Sequence, residues 1–352
     1  MPFTSSRKNI YLLEKELGAW SLATDLNHAR NFLLQTGNPI THNIFKADVL
    51  FSVWYKTLLS RKVYYFLSVL KKVASTKIVT TVTNAIEDTH ADDINKLAKL
   101  VDCWIVPSVG AYNFLRDKNL NVELIPFYVE RDTFKKLESS KQSLCEKLGI
   151  DYNEIAGKYL IGSFQRDSLG KNLEQPKWQK NPGLLVQILD KLPRDQILLL
   201  LCGPRRHYLV RQCEKLGIPY LYYGDEKYIR RMEDDLAYNN ISKDKLGLLY
   251  NLIDLYVVSS KSEGGPKAIC EASLSKTLIV STPVGLAPDI LHKELIFEEQ
   301  DSERVADFIN NMIQGRANTA PYLEYNYQQA SRALDEELLR DKYKSLVEDA
   351  PS

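Results

Sequence analysis

The stretch from Leu255 to Ile290 constrains the fold of this chain more than any other. It begins with the apolar run Leu255–Val258 and breaks at a loop that carries Glu-Gly-Gly-Pro at 263–266. A helix is predicted to begin at Pro266, and a second apolar run, Leu278–Ser281, follows it. Strand, glycine loop, helix and strand in this order predict the βαβ unit of a parallel sheet.

Apolar runs alternate with helical patterns along the rest of the chain, which predicts an α/β protein with doubly wound parallel sheets. The other predicted strands are Asn9–Leu13, Ala47–Val53, Lys77–Val82, Val101–Pro107, Val122–Pro126, Tyr159–Ser163, Ile197–Cys202 and Tyr220–Tyr223. The charged stretch Phe134–Lys158 is interpreted as a connection between domains. Because 352 residues with 44% hydrophobic content can bury two cores, we expect domains over 1–150 and 151–329.

Net charge and cysteine usage argue against several classes of function. A formal net charge of +1 gives no global attraction to nucleic acid. The five cysteines are scattered without a Cys-x-x-Cys pair, so neither a zinc site nor a disulfide framework is expected. The first 30 residues lack a signal-peptide pattern, and no apolar run is long enough to span a membrane. We therefore expect a cytoplasmic protein.

Segment 54–77 is basic and aromatic. It contains six Lys and Arg residues and no Asp or Glu, interleaved with Trp, Tyr and Phe. A basic amphipathic helix with aromatic residues is typical of segments that lie on a membrane, which predicts peripheral contact with the inner face of the plasma membrane. The alternative interpretation is a helix that covers the sheet and has a solvated basic face.

The loop at Gly264 and Gly265, with the helix start at Pro266 and Lys267, predicts a phosphate site. Free N–H groups and the positive end of the helix dipole attract anions at such a position. Neither Gly-x-Gly-x-x-Gly nor the P-loop pattern occurs in the chain. The dinucleotide and P-loop interpretations therefore lose their main support.

Two cationic positions point to the same kind of ligand. Arg166 follows the predicted strand that ends at Ser163, and Lys180 precedes the next helix. Because the carboxyl ends of strands in an open α/β sheet meet in one crevice, we expect these side chains and the Glu263 loop to bind one diphosphate. Lys171 and Lys177 are competing candidates for the role of Lys180.

A family resemblance follows from these motifs. Glu263 and Glu271 are separated by seven residues inside SEGGPKAICEAS, which is followed by STPVG. This spacing resembles the E-x7-E motif of retaining GT-B glycosyltransferases of the group 1 type (family 4). IGSFQRD, KNPGLL, LLLLCGPRR and DLYVVSS are similar to further segments of that family, as is VDCWIVPSVGAYNFLRDKNLNVELIPFYVERDTF in the first half. The resemblance covers most of the chain from Lys77 to about Leu295.

The resemblance implies a fold and a function. The fold is the GT-B architecture, in which two Rossmann-like αβα domains face each other across a cleft. The N-terminal domain binds the acceptor, the C-terminal domain binds the nucleotide sugar, and a C-terminal helix at about 330–352 packs back on the first domain. The function is retaining transfer of a hexose to a glycan or lipid-linked glycan, in cell-envelope polysaccharide synthesis. No cofactor or metal is implied, because cationic side chains stabilise the leaving group and the chain has no Asp-x-Asp motif.

Site residues carry over by motif position. Glu271 is similar to the glutamate that binds the ribose hydroxyls, and Glu263 to the one near the transferred sugar. Arg166 and Lys180 match the pair that neutralises the diphosphate, so the catalytic candidates are Glu263, Arg166 and Lys180. The donor-binding candidates are Gly162, Arg166, Lys180, Gly203, Glu263, Gly264, Gly265, Pro266, Lys267 and Glu271.

The acceptor side departs from the family pattern. Family members often carry a histidine at the end of the strand represented here by KIVTTVTN, and the matching position is Thr83. His90, on the following segment, is the second acceptor-side candidate. Two alternative functions stay open on this fold. One is a sugar-nucleotide epimerase or hydrolase, and the other is a non-catalytic protein that binds a nucleotide sugar.

Overall fold

The computed structural model describes residues 7–13, 20–85 and 91–348, with Trp20 and Ser21 described by their backbone alone. The chain divides into two compact units. Unit 1 consists of the described residues of Met1–Tyr128 and Arg332–Ser352, and unit 2 is Val129–Ser331. No helix in these described ranges is long and apolar enough to cross a bilayer.

Unit 1 is built on a parallel sheet with the strand order β1-β2-β3-β4-β5. The strands are β1 (Ile10–Leu12), β2 (Val49–Ser52), β3 (Lys77–Thr81), β4 (Cys103–Val106) and β5 (Val122–Leu124). The helices between them are α1 (Trp20–Gln35), α2 (Arg61–Ala74), α3 (Ala91–Leu97) and α4 (Val109–Arg116), with 3-10 turns at Ile44–Lys46 and Tyr55–Leu59.

Both faces of this sheet are covered, because alternate residues of a strand point to opposite faces. In β2, Phe51 joins a core cluster with α1, which contributes Phe32 and Leu33. Its neighbour Leu50 joins a second cluster with Leu67 of α2. The continuous apolar runs of the sequence therefore correspond to strands buried on two sides.

Unit 2 is also built on a parallel sheet, with the strand order β10-β9-β6-β11-β12. Its strands are β6 (Tyr159–Ser163), β9 (Ile197–Cys202), β10 (Tyr220–Tyr223), β11 (Leu255–Val258) and β12 (Leu278–Ser281). Two short antiparallel strands, β7 (Ser168–Leu169) and β8 (Asn172–Pro176), form a separate hairpin after β6. The predicted βαβ unit at Leu255–Ile290 is confirmed, and so is the α/β class.

The helices of unit 2 follow the strands in the alternation that the sequence predicts. They are α5 (Lys141–Leu148), α6 (Tyr152–Ile155), α7 (Pro182–Leu189), α8 (His207–Leu216), α9 (Lys227–Arg230), α10 (Lys243–Leu252), α11 (Lys267–Leu274), α12 (Ala287–Ile290), α13 (Ser302–Ile313) and α14 (Ala320–Ala333), whose last two residues fall in unit 1. Two 3-10 turns lie at Trp178–Lys180 and Lys293–Leu295. One hydrophobic cluster joins Leu199 and Val257 of the sheet to Leu185 of α7 and Ile309 of α13.

The last helix, α15 (Glu336–Glu348), belongs to unit 1. Its buried residues Leu339, Tyr343 and Leu346 lie in the same core cluster as β2. The Tyr343 ring stacks on Phe32 of α1 with the ring centroids 5.3 Å apart. Helix α15 therefore completes a core to which α1 and β2 also contribute.

The stretch 134–158 is not the domain connection that its charged composition suggests. It contains α5 and α6, and Leu144 and Cys145 of α5 are buried. Lys141 donates to Asp254 Oδ2 at 2.6 Å, which ties α5 to the residue just before β11. These contacts place the stretch in unit 2, so the boundary falls between Tyr128 and Val129 rather than at 150.

Candidate functional site

The strand order of unit 2 changes direction at β6. From β6 the chain first adds β9 and β10 on one side and later adds β11 and β12 on the other. In an open α/β sheet, ligands bind outside the carboxyl ends of the strands at such a switch point. The loops that follow β6, β9 and β11 meet there, and they carry most of the predicted donor residues.

The loops after β6 and β11 are held together by polar contacts. Lys180 forms an ion pair with Glu263, and the two side chains are 19% and 14% exposed. Ser260 Oγ donates to Glu263 Oε1 at 2.8 Å, and the backbone N–H of Lys261 donates to Gln179 O at 2.8 Å. Two of the three predicted catalytic residues therefore lie in direct contact.

Three further cations, Arg166, Lys177 and Arg205, lie close to this ion pair, and together with Lys180 we call them the cation group. Burial, together with the neighbouring Lys180 and Arg166, lowers the pKa of Lys177 to about 8. Burial and Arg205 likewise lower the pKa of Arg166. Arg205 is bound in a fork by Asp234, at 2.9 and 2.7 Å. A bound anion would offset the mutual repulsion of these side chains.

Lys171 and Lys177, the two competing candidates for the role of Lys180, lie in different surroundings. Lys171 lies at the turn of the β7–β8 hairpin and is exposed, whereas Lys177 is half-buried within the cation group. The stretch 164–180 is a hairpin followed by a 3-10 turn. Because the chain doubles back, Lys177 returns to the neighbourhood of Arg166.

A buried ion pair anchors the backbone next to Arg166. Asp167 and Arg206 have side chains 2% and 0% exposed, with Arg206 Nε 3.2 Å from Asp167 Oδ2. Arg206 Nη2 also donates to Ser163 Oγ at 3.0 Å. The backbone N–H of Lys177 donates to Asp167 O at 2.6 Å. One fixed residue thus holds both Arg166 and Lys177, and the local sequence gives no signal for it.

The glycine loop before α11 rests on the segment after β12. Gly285 has φ +51°, and a Cβ there would lie 2.8 Å from both Gly264 O and Pro266 Cδ. Thr282 Oγ1 donates to Ser260 O at 2.5 Å. Only glycine combines this backbone conformation with so close an approach. The loop that carries Glu263 is therefore supported from behind by the STPVG segment.

Glu271 lies on α11 and is half-buried. The hydroxyl of Tyr250 donates to its Oε2 atom at 2.9 Å. Burial raises the pKa of Glu271, while the Tyr250 hydrogen bond and the charge of Lys267 oppose that shift. The sequence predicted Glu271 and Lys267 but not Tyr250, which comes from α10.

The two isolated glycines of the donor set have different surroundings. Gly162 is buried in β6, where a Cβ would lie only 2.4 Å from Ile253 Cδ1. Its small size is thus accounted for by packing inside the sheet. Gly203 follows β9, and its carbonyl accepts a hydrogen bond from the Tyr222 hydroxyl at 3.0 Å. Gly203 therefore lies at the carboxyl end of β9, next to β6, while Gly162 lies within the sheet.

The acceptor-side candidates belong to unit 1. Thr83 is half-buried and follows β3, and the neighbouring Asn84 accepts a hydrogen bond from Trp54 Nε1 at 3.1 Å. His90 lies outside the described residues. Among the residues that are described, no group of three or more His, Cys, Asp and Glu side chains could hold a metal ion.

A cavity of about 490 Å³ opens at the carboxyl end of β10. Its lining includes Tyr223, Asn240 and Asp151, the last from the α5–α6 region. Lys245 Nζ lies 5.7 Å from the centre of the Tyr223 ring. The described residues that line this cavity include none of the predicted donor residues.

Comparisons with known proteins bear on this arrangement. Residues 172–315 match the family described as glycosyl transferases group 1. No curated protein sequence gives a significant match. Anabaena Alr3699/HepE in complex with UDP and glucose superposes with a TM-score of 0.71 at 15% identity, over 96% of this chain and 98% of its own.

Two further solved structures share the fold. A glycosyltransferase from Rickettsia africae ESF-5 has a TM-score of 0.66 at 15% identity and covers 98% of this chain and 100% of its own. Sucrose-phosphate synthase from Thermosynechococcus elongatus has a TM-score of 0.63 at 16% identity and covers 93% and 78%. At these identities the structures show the fold alone, and the family match covers residues 172–315, less than half of the chain. The chain has the GT-B fold that these solved structures share, and its residues 172–315 are similar to the glycosyl transferases group 1 family.

Proposed function

We propose that the chain transfers a hexose from a nucleoside-diphosphate sugar to a glycan or lipid-linked glycan acceptor. The observation that carries this proposal is the Lys180–Glu263 ion pair beside Arg166 and Lys177, at the switch point of the unit 2 sheet. Fixed cations at that position match the charge of a diphosphate. UDP-glucose is the first donor to test, because one Anabaena Alr3699/HepE structure contains it.

The chemical step breaks the bond between the sugar C1 and the diphosphate oxygen and forms a bond from C1 to an acceptor hydroxyl oxygen. Negative charge develops on the leaving diphosphate, where Arg166 and Lys180 stabilise it. We propose retention of configuration, in which a leaving phosphate oxygen accepts the proton of the acceptor hydroxyl. We also propose that Glu263 lies at the sugar end of the donor, as the resemblance to the E-x7-E motif implies.

Glu271 is proposed to bind the ribose of the donor. A carboxylate accepts hydrogen bonds from vicinal hydroxyls, and the Tyr250 hydroxyl fixes its orientation. The backbone N–H groups at Gly264, Gly265 and the start of α11 would face the diphosphate, as the positive end of a helix favours. No cofactor other than the donor is part of this proposal.

The acceptor is assigned to unit 1, with Thr83 and His90 as the candidate polar groups. We propose cell-envelope polysaccharide synthesis at the inner face of the plasma membrane as its setting. A screen of glycans and lipid-linked glycans, with release of nucleoside diphosphate as the readout, tests this part separately from donor binding.

Donor binding and turnover test the central proposal. Nucleoside diphosphates are first ranked by the shift that they cause in melting temperature, and nucleotide release from the matching donor is then measured with and without acceptor. We expect Arg166→Ala to lower kcat by about 100-fold, as loss of one charge-stabilising group does. Glu271→Ala should raise the Kd of the nucleotide roughly tenfold, the value of one hydrogen bond to a charged group.

The control is Arg194→Ala, which removes an exposed arginine of the same unit. It should leave both quantities unchanged. If Arg166→Ala turned over at the wild-type rate, the site would be misassigned. Nucleotide release that did not depend on an acceptor would identify a hydrolase instead.

A further inference from the structure

The outward face of α2 is apolar. Tyr65, Phe66, Val69 and Val73 are 60%, 42%, 61% and 74% exposed. Residues spaced by three, four and eight positions lie on one side of a helix, so the four side chains form a continuous stripe. A helix that only covers a sheet would carry polar residues there.

Packing within unit 1 accounts for the opposite face only. Leu67 and Leu70 are buried in the core cluster of β2 and β3. The 3-10 turn at Ile44–Lys46 extends the exposed stripe, because Phe45 is 67% exposed and its ring meets Phe66 edge to face at 6.1 Å. Five large apolar side chains therefore form one surface, which we call the α2 face: Phe45, Tyr65, Phe66, Val69 and Val73.

Cations surround the α2 face. Lys46, Arg61, Lys62 and Lys72 are exposed. Lys71 pairs with Asp102 at 2.6 Å and does not belong to this rim. The sequence contains no Asp or Glu from residue 49 to residue 86. None of these four cations forms an ion pair within the part of the chain that the structure describes. An apolar centre with such a positive rim favours a partner that is apolar and anionic.

We propose that the α2 face binds the surface of a bilayer that contains anionic lipid. The apolar side chains enter the boundary between headgroups and acyl chains, and the rim meets the headgroup phosphates. A second copy of the chain fits less well, because a two-fold interface would bring the cations of one face against those of the other. The proposal is independent of the donor chemistry in unit 2.

The α2 face includes only part of the segment 54–77, which the sequence analysis predicts as the membrane contact. Tyr55 and Lys77 are buried, 0% and 5% exposed, and Trp54 is half-buried with its indole N–H bonded to Asn84. They belong to the sheet side of unit 1. The aromatic and basic composition of the segment thus divides between the core and the outward face.

Vesicle co-sedimentation tests the proposal with the full chain. We expect binding to vesicles of phosphatidylglycerol mixed with phosphatidylcholine, and at least tenfold weaker binding to phosphatidylcholine alone. Val69→Gln with Val73→Gln should weaken the binding at least tenfold through lost apolar contact. Lys62→Glu with Lys72→Glu should also weaken vesicle binding at least tenfold, and the binding that is left should depend less on salt concentration.

The matched control is Val109→Gln, which changes a valine of α4 that is 41% exposed in the same unit. It should bind as the wild type does. Each variant is compared for melting temperature and for the shift caused by UDP, both of which should stay unchanged. Equal binding by all variants, or binding that ignores lipid charge, would overturn the proposal. Loss of a dimer in light scattering on Val69→Gln with Val73→Gln, without vesicle binding by the wild type, would identify self-association instead.

Discussion

At the residue scale, Lys177 is the side chain whose charge we expect to respond most directly to the proposed diphosphate. Its pKa is about 8 in the folded protein because it is buried beside Lys180 and Arg166, against an ordinary value of 10.5. The unfolded chain therefore holds more protons than the folded one between these two pH values. Lys177 makes the free energy of unfolding rise with pH across that window.

A diphosphate placed beside Lys177 reverses this shift, since a nearby anion favours the charged amine. We expect binding at pH 8 to take up about half a proton, and affinity to fall as the pH rises above this value. Calorimetry in buffers of different ionisation enthalpy measures the uptake. Lys177→Arg keeps the charge but does not titrate, so its uptake should be lower by that amount. Equal uptake by both proteins would place the diphosphate away from Lys177.

At the element scale, the loop before α11 depends on the backbone of Gly285. Alanine at this position has to adopt φ +51° and meets Gly264 O and Pro266 Cδ at 2.8 Å. Gly315 has a similar φ of +65°, but a Cβ there meets nothing within 4 Å. A comparison of alanine substitutions at Gly285 and Gly315 therefore distinguishes the effect of backbone strain from the effect of displacing the loop.

We expect Gly285→Ala and Gly315→Ala each to lower the free energy of unfolding by roughly 1–2 kcal/mol, the cost of left-handed backbone for an L-residue. Gly285→Ala should lose more through the clash, and it alone should weaken nucleotide binding. Denaturant titration and the melting-temperature shift with UDP measure the two effects. Equal nucleotide affinity in the two variants would show that the loop does not need this support.

At the scale of the whole molecule, the chain closes its first unit with its last helix. Leu339 of α15 is 1% exposed within the core cluster that contains Phe32 and Phe51, while the adjacent Leu338 is 46% exposed. Leu339→Ala should lower the stability of unit 1 by about 2–5 kcal/mol through the cavity it leaves. Leu338→Ala should cost less than about 0.5 kcal/mol.

Hydrogen exchange followed by mass spectrometry resolves these losses by region. Leu339→Ala should speed exchange in β1 and β2 and leave β6 and β9 of unit 2 protected. Leu338→Ala should leave the exchange of all four strands unchanged. If hydrogen exchange in β2 were unaltered in Leu339→Ala, α15 would not stabilise this core.

Local patterns predict most of the elements. Lys77–Val82 was expected as a strand and Lys77–Thr81 forms β3, because a run of β-branched residues favours strands wherever it lies. Ser108 caps α4 as its residue type indicates, accepting from the Ala111 N–H. The β7–β8 hairpin was missed because its strands are short and largely polar, so neither alternation nor an apolar run marks them.

The sequence by itself determined the parallel α/β class, the E-x7-E segment and the strand ends that carry Arg166 and Glu263. These features depend on periodicity and on residues close to one another along the chain. The tertiary structure decided that Lys180 pairs with Glu263, that Lys177 rather than Lys171 joins the cation group, and that Tyr250 holds Glu271. Each of these contacts joins residues that lie on different segments of the chain, and only the hairpin and the assembled open sheet bring such residues together.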